Sequence, residues 1–333
     1  MKIILTNLPA FYKINLYNAL AKNTKIFVVF TGLDGETRNE DFAKGEMNFP
    51  YVLLKGNQLQ KMLSFYKMVK KQNYSEIILS SWETFIPWLV ALTSPSKKNA
   101  VVVESSIKES NVNGIKGFIK RIFFKRCSKA YVSGKSQGDL ALALNPKIRC
   151  VKTRGVGVFN YRKQPPYEKR TIVRNFIYVG RLVREKNLEW LIEQFNRHPE
   201  LHLDIIGFGM LEEQLKKLAN DNINFVGPVD NIQLFKYYQD ADVFILPSIS
   251  EPWGLVVEEA LNNGLPVMVS EFVGCAEEIV NEDNGVVFSL NEDDFESKLK
   301  QICNMENYNQ MRLNISKMDF ERIEVEQINC YLK

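Results

Sequence analysis

Residues 246–266, LPSISEPWGLVVEEALNNGLP, constrain this chain more than any other stretch, because they read as a strand end, a loop, a helix and a stop. Residues 242–246 are a short apolar run of strand type. Pro247 and two serines break it, and helical propensity resumes at Val256–Leu261 until Asn263, Gly264 and Pro266 end it. The loop therefore opens directly onto a helix N-terminus. Gly254 lets backbone approach a ligand, and the first-turn N–H groups of Leu255 and Val256 favour an anion such as a phosphate. Glu251 lies in the loop and Glu259 about one turn inside the helix, and a carboxylate can accept two hydrogen bonds from a diol. Phosphate donors between two diol acceptors suit a nucleotide sugar.

Glu251 and Glu259, with seven residues between them in the setting PSxxEPWGLxxxEAxxxGxP, resemble the glutamate pair of the retaining glycosyltransferases of family 4, the glycosyl transferases group 1 of GT-B fold. The likeness runs over residues 178–288. YVGRLVREKN, IIGFGMLEEQL, INFVGPV and GCAEEIVNEDNGVVF follow in the family's order and spacing. The N-terminal half matches only in outline. It has Asn7-Leu8-Pro9-Ala10 where the family often carries a glycine-rich loop, and no histidine between residues 1 and 166, where many members place one.

At 333 residues the chain has room for about two domains, each with its own core. Strand-like runs alternate with helical stretches throughout, as in parallel sheets covered on both faces. We expect an α/β GT-B protein: two doubly wound Rossmann-like domains facing each other across a cleft. Their bounds are read as 1–160 for the acceptor-side domain, 161–174 for a polar linker with two prolines, and 175–317 for the nucleotide-sugar-binding domain. The tail, 318–333, is expected to return to the first domain, as in many GT-B proteins.

The five cysteines are scattered and never form a CxxC, so they indicate neither a disulfide framework nor a zinc site. No apolar run reaches the ~18 residues of a transmembrane helix. These features point to a cytoplasmic protein, either free in solution or peripheral on the inner face of the cytoplasmic membrane. Residues 1–166 hold 27 Lys and Arg against 10 Asp and Glu, and residues 167–333 hold 16 against 29, a division of +17 and −13. A basic half seeks an anionic partner. Ile115, Phe118, Ile119, Ile122 and Phe123 form a helical apolar stripe, with Lys116, Lys120, Arg121, Lys125 and Arg126 mostly on the other side. Leu59, Met62, Leu63 and Tyr66 repeat the pattern among Lys61, Lys67, Lys70 and Lys71. Both stripes could pack on the sheet. They could instead face an anionic membrane, held mainly by charge and released by salt. Nucleic acid is not the expected partner.

The resemblance implies the site roles. Arg181 and Lys186, at and beyond a strand's carboxyl end, bind the diphosphate and stabilise it as it leaves. Main chain near Phe225 and Val226 holds the base, and Glu259 takes the ribose hydroxyls. Glu251 holds hydroxyls of the transferred sugar, and backbone of Trp253, Gly254, Leu255 and Val256 holds sugar and phosphate. Trp253 stands where the family more often has phenylalanine and can equally be core. Glu258, about 100° around the helix from Glu259, should point elsewhere. Glu104 and Glu83 are the first-domain candidates to orient an acceptor hydroxyl, or else are helix-start carboxylates. No metal or other cofactor is expected. Asp240-Ala241-Asp242 is formally a DxD but precedes its strand, and His198 and His202 make no ligand pair.

The expected activity is transfer of a sugar from a nucleoside-diphosphate sugar, UDP foremost, to a saccharide or lipid-linked acceptor in surface polysaccharide or glycolipid synthesis. A GT-B sugar-nucleotide enzyme of epimerase type and a catalytically silent binding protein are the alternatives.

Overall fold

The computed structural model describes residues 1–32, 45–70, 72–82 and 84–333; Lys71 and Glu83 lie outside the described residues. The chain forms two compact units, residues 1–158 with 321–333, and residues 159–320.

Unit 1 alternates β1 (Lys2–Thr6), α1 (Phe11–Asn23), β2 (Ile26–Phe30), β3 (Tyr51–Leu53), α2 (Gln58–Lys70), β4 (Glu76–Leu79), α3 (Phe85–Thr93), β5 (Asn99–Val103), α4 (Gly114–Lys125), β6 (Lys129–Val132), α5 (Lys135–Leu144) and β7 (Arg149–Lys152). The strands pair in parallel in the order β3-β2-β1-β4-β5-β6-β7. Their side chains alternate between two cores. Ile3, Leu5, Ile77, Leu79, Val101 and Val103 pack with Phe65, Phe123 and Phe124 on one face. Ile4, Val28, Ile78 and Ala100 pack with Ile14, Tyr17 and Tyr331 on the other. Burial on both faces explains why these strands read as continuous apolar runs.

Tyr331 comes from α13 (Phe320–Leu332), most of which belongs to this unit. Its ring stacks on Tyr131 at 4.5 Å. The Tyr131 hydroxyl donates to Glu76 at 2.9 Å, and Glu76 also pairs with Lys2 at 2.9 Å and Lys129 at 2.7 Å. Burial alone would raise the Glu76 carboxyl, but the two ammonium groups outweigh it and hold it below its ordinary value.

The two amphipathic helices of this unit turn only one member of each apolar stripe, Phe123 and Met62, to the sheet core. Ile115 is 80 % exposed and Phe118 62 %, with Ile119 and Ile122 also exposed, while Phe123, Phe124 and Gly117 make the inner face of α4. A stripe of period 3.6 shows that a helix has an apolar side but not which way that side faces. Leu59, Leu63 and Tyr66 on α2 and Phe85 on α3 are exposed as well. Leu59, Phe85, Ile115 and Phe118 sit near the starts of their helices, which in such a unit adjoin the carboxyl ends of the strands. Among the basic neighbours, Arg126 is committed elsewhere: it donates to the carbonyls of Ala91, Leu92 and Ser94 at 2.9, 3.3 and 3.2 Å, closing the end of α3. No helix among the described residues is long and apolar enough to cross a membrane.

Unit 2 runs β8 (Asn175–Val179), α6 (Leu188–Asn196), β9 (His202–Ile206), α7 (Glu212–Leu218), β10 (Ile223–Gly227), α8 (Leu234–Asp240), β11 (Val243–Leu246), α9 (Leu255–Asn262), β12 (Val267–Ser270), α10 (Ala276–Ile279), β13 (Gly285–Phe288), α11 (Glu292–Cys303) and α12 (Met305–Ile315). Its six parallel strands follow the order β10-β9-β8-β11-β12-β13. Residues 159–174 group with this unit. The Asn262 side chain accepts from the Arg162 amide at 3.1 Å and donates to its carbonyl at 3.0 Å, and Asn309 does the same for Arg170 at 2.9 and 3.0 Å. Side-chain amides thus stand in for a ladder partner, and an irregular segment without periodicity is held along its length.

Candidate functional site

In unit 2 the chain builds β8, β9 and β10 outward in one direction and then returns to place β11 on the other side of β8. The loops leaving β8 and β11 diverge at this point, where ligands bind in sheets of this kind. The loop after β8 carries Arg181, and a short 3-10 turn, Arg184–Lys186, carries Lys186. The loop after β11 carries Glu251. The two loops are tied twice, by the Ile249 amide donating to the Glu185 carbonyl at 2.9 Å and by an ion pair between Lys186 and Glu251. Each of these side chains is 14 % exposed, so the pair is largely shielded from water.

The Glu251 loop is also fastened from behind. Glu251 bridges in parallel to Val273, its carbonyl accepts from the Gly274 amide at 2.8 Å, and the Trp253 carbonyl accepts from the Cys275 amide at 2.8 Å. Two glycines make this contact possible. A Cβ on Gly274 would lie 1.9 Å from the Pro252 carbonyl oxygen, and Gly254 has φ +96 with Val273 at 3.0 Å from where its Cβ would be.

Gly254 leads into α9, so Leu255 and Val256 begin the helix half-buried with first-turn N–H groups that have no acceptor within the helix. Glu259 is 7 % exposed, accepting from the Tyr238 hydroxyl at 3.3 Å and from the Asn231 amide at 3.4 Å. Burial, and then the Glu259 charge, push the Tyr238 phenol well above its ordinary value, so it stays a donor. Phe225 and Val226 lie half-buried at the end of β10. Asn231 and Tyr238 were not singled out from sequence, since neither lies in a motif and their role comes from contact with Glu259 alone.

Trp253 is 2 % exposed, so its indole is core and only its backbone is available to a ligand. The indole N–H donates to Glu258 at 2.8 Å, which shows where Glu258 points. The DxD stretch lies before β11, and Asp242 accepts from the amides of Arg174 and Asn175 at 2.9 Å each, a closure at the amino end of the sheet. His198 contacts Glu296 at 2.6 Å and Glu200 at 3.1 Å, and His202 is exposed.

Glu104 belongs to unit 1, just past β5, and pairs at 3.1 Å with Lys13 of α1. Burial would lower the Lys13 ammonium, but Glu104 foremost, with Tyr12 and Tyr17, holds it above its ordinary value, so this half-buried lysine stays charged. Glu83 lies outside the described residues.

Two parallel-sheet Rossmann-like units, one with its loops diverging at a switch point, define the GT-B class, and the solved structures that resemble this chain are GT-B glycosyltransferases. Residues 161–318 match the model of the family "Glycosyl transferases group 1". An uncharacterised glycosyltransferase of Methanocaldococcus jannaschii is 32 % identical over 170 residues, 46 % of this chain and 44 % of that protein. The O-antigen biosynthesis glycosyltransferase WbnH of Escherichia coli is 33 % identical over 157 residues, 46 % of this chain and 45 % of that one. The chain thus spans less than half the length of these relatives. HepE of Anabaena, in complex with UDP-glucose, has the same fold, with a TM-score of 0.71 at 14 % identity over 100 % of this chain and 99 % of that one.

Proposed function

We propose that this protein is a retaining glycosyltransferase of family 4 type that moves a sugar from a UDP-sugar to a saccharide acceptor. The observation that carries the proposal is the Lys186–Glu251 ion pair at the switch point of unit 2, with Glu259 about one turn inside the helix that follows the same loop. An ammonium has three donor hydrogens. Lys186 can therefore keep Glu251 aimed at sugar hydroxyls while it shares, with Arg181, the charge that grows on the departing diphosphate. That stabilisation is large in a site shielded from water and asks for no metal. The amides of Leu255 and Val256 add donors for the same phosphates, Glu259 takes the ribose diol, and the base lies along Phe225 and Val226. In unit 1, Glu104 is the residue proposed to orient the acceptor hydroxyl, its carboxylate fixed by Lys13.

UDP is favoured because a protein of the same fold, HepE, is known in complex with UDP-glucose. Synthesis of a surface polysaccharide is favoured by the relative named for O-antigen biosynthesis. A lipid-linked acceptor at the cytoplasmic membrane face is supported by unit 1, where the exposed Leu59, Ile115 and Phe118 lie on helices that also carry several lysines. Exposed apolar side chains beside lysines on the same helix suit the boundary between headgroups and acyl chains of an anionic bilayer.

The test is release of free sugar from a panel of nucleotide sugars without acceptor, in wild type and Glu251→Gln. Hydrolysis of one UDP-sugar by wild type and its loss in the variant supports the reading. Absence of hydrolysis and of binding across the panel overturns it.

A further inference from the structure

Glu258 is a buried acid next to the proposed donor-binding carboxylates, with no part in the chemistry just described. It is 7 % exposed on α9, and its carboxylate oxygen receives the Trp253 indole N–H at 2.8 Å. Trp253 belongs to the loop that holds Glu251, so this bond fastens that loop to the helix that holds Glu259. The charge that acts on Glu258 is that of Glu259, while Glu251 is balanced by its ion pair with Lys186. Glu259 neighbours it on α9, Glu251 lies on the loop after β11, and Cys275 lies ahead of α10. The Cys275 thiol is pushed well above its ordinary value by burial, then by Glu258 and Glu251, so it remains neutral and supplies no balancing charge.

We infer that Glu258 is a positioning residue of the donor site. As a neutral acid it holds Trp253 and with it the loop bearing Glu251; as a carboxylate it adds a negative charge beside Glu259, one that the Lys186–Glu251 pair does not balance, and weakens the hold on an anionic donor. Burial pushes the Glu258 carboxyl up to about 8, the Trp253 donor working against the shift and the Glu259 charge with it. The change of state thus falls just above neutrality. Glutamine would occupy the same space, accept the same indole bond and never ionise, so it separates the two roles. The inference rests on the nucleotide-sugar reading of this site.

The experiment is a series of UDP affinities by calorimetry from pH 7 to 9.5 for wild type, Glu258→Gln and Trp253→Phe, with the indole N–H resonance of Trp253 followed by NMR over the same range. Wild type should lose about five- to tenfold in affinity across pH 8, as expected for one added charge roughly 10 Å away in a partly shielded site. The indole resonance should move with the same midpoint. Glu258→Gln should show neither change while binding UDP at pH 7 as wild type does. Trp253→Phe removes the donor that favours the ionised acid, so its affinity should fall at a higher pH. An alkaline loss of affinity that persists in Glu258→Gln overturns the inference, as does an indole resonance that titrates while UDP affinity stays level. If wild type binds UDP at no pH, the nucleotide-sugar reading itself fails and takes the inference with it.

Discussion

Lys186 and Glu251 stand 65 positions apart in the chain and meet as an ion pair with each side chain 14 % exposed. Breaking one half of such a shielded pair leaves the other charged and uncompensated, which costs more than the pair itself contributes.

Replacement of Glu251 by glutamine or of Lys186 by alanine is therefore expected to lower kcat by two to three orders of magnitude, about 3–4 kcal/mol of transition-state stabilisation. Lys186→Ala should fall as far as Glu251→Gln, because it both loses the diphosphate contact and frees the carboxylate. Steady-state kinetics at saturating donor checks this, with circular dichroism to show that the fold is kept. A Lys186 variant with near-normal turnover would remove this residue from the mechanism.

Glu259→Ala should act on donor affinity. Loss of a buried carboxylate with two protein donors and the proposed ribose diol should weaken UDP binding by roughly ten- to a hundredfold, the scale of hydrogen bonds to a charged group. Calorimetry reads it directly, and an unchanged dissociation constant would argue that the ribose lies elsewhere.

The anomeric configuration should be retained, and turnover should continue in EDTA, since Arg181 and Lys186 supply the cationic charge at the leaving group. Proton NMR of the product and a chelator titration are the measurements. An inverted product, or activity restored only by Mg²⁺ or Mn²⁺, contradicts the proposal.

Binding to anionic vesicles should fall with salt but keep a remainder at about 0.5 M, where exposed charges are screened within a few ångströms. The remainder comes from Phe118 and Ile115, 62 % and 80 % exposed. Co-sedimentation of wild type, Ile115→Ser/Phe118→Ser and Lys120→Gln/Arg121→Gln/Lys125→Gln across a salt series separates the two parts. Sedimentation lost completely at moderate salt would return the interaction to charge alone.

Thermal stability should respond to Glu258 in one direction. Its carboxyl lies at about 8 in the folded protein against an ordinary 4.5, so between those values the native state holds a proton that the unfolded chain has released. Stability attached to this group is present below about 4.5, declines as pH rises and is lost by about 8. Glu258→Gln should match wild type near pH 4.5 and exceed its melting temperature increasingly up to pH 8, as scanning calorimetry at several pH values would show.

What could be read from sequence followed from locality. Residues 26–30 and 2–6 are apolar runs with a helix between them, and their strand character is decided by neighbours in the chain. The loop and helix of residues 246–266 were legible for the same reason, since Pro247, Gly254 and Gly264 each act on adjacent backbone. The Lys186–Glu251 pair was not legible, because the sequence assigned both residues to a ligand and nothing in their spacing says that they touch. Lys13 was missed altogether. It reads as one polar residue on an ordinary helix, and its burial depends on Glu104, 91 positions later. The stripe on α4 was read correctly as apolar, but its direction was decided at its end, where Phe123 and its neighbour Phe124 enter the core and leave the rest of the stripe outside.

The stacking of Tyr331 on Tyr131 joins the last helix of the chain to the sheet of unit 1. Unit 1 is discontinuous: its sheet is complete by residue 152, yet the helix that finishes one of its cores is encoded after every residue of unit 2. On the ribosome the second unit is contiguous and can close as soon as it emerges, while the first must wait with Ile4, Val28 and Tyr131 incompletely covered until Ile328 and Tyr331 arrive. The half of the molecule made first is thus the half finished last, and a chaperone that shields apolar sheet faces would find its target in unit 1 during the whole synthesis of unit 2.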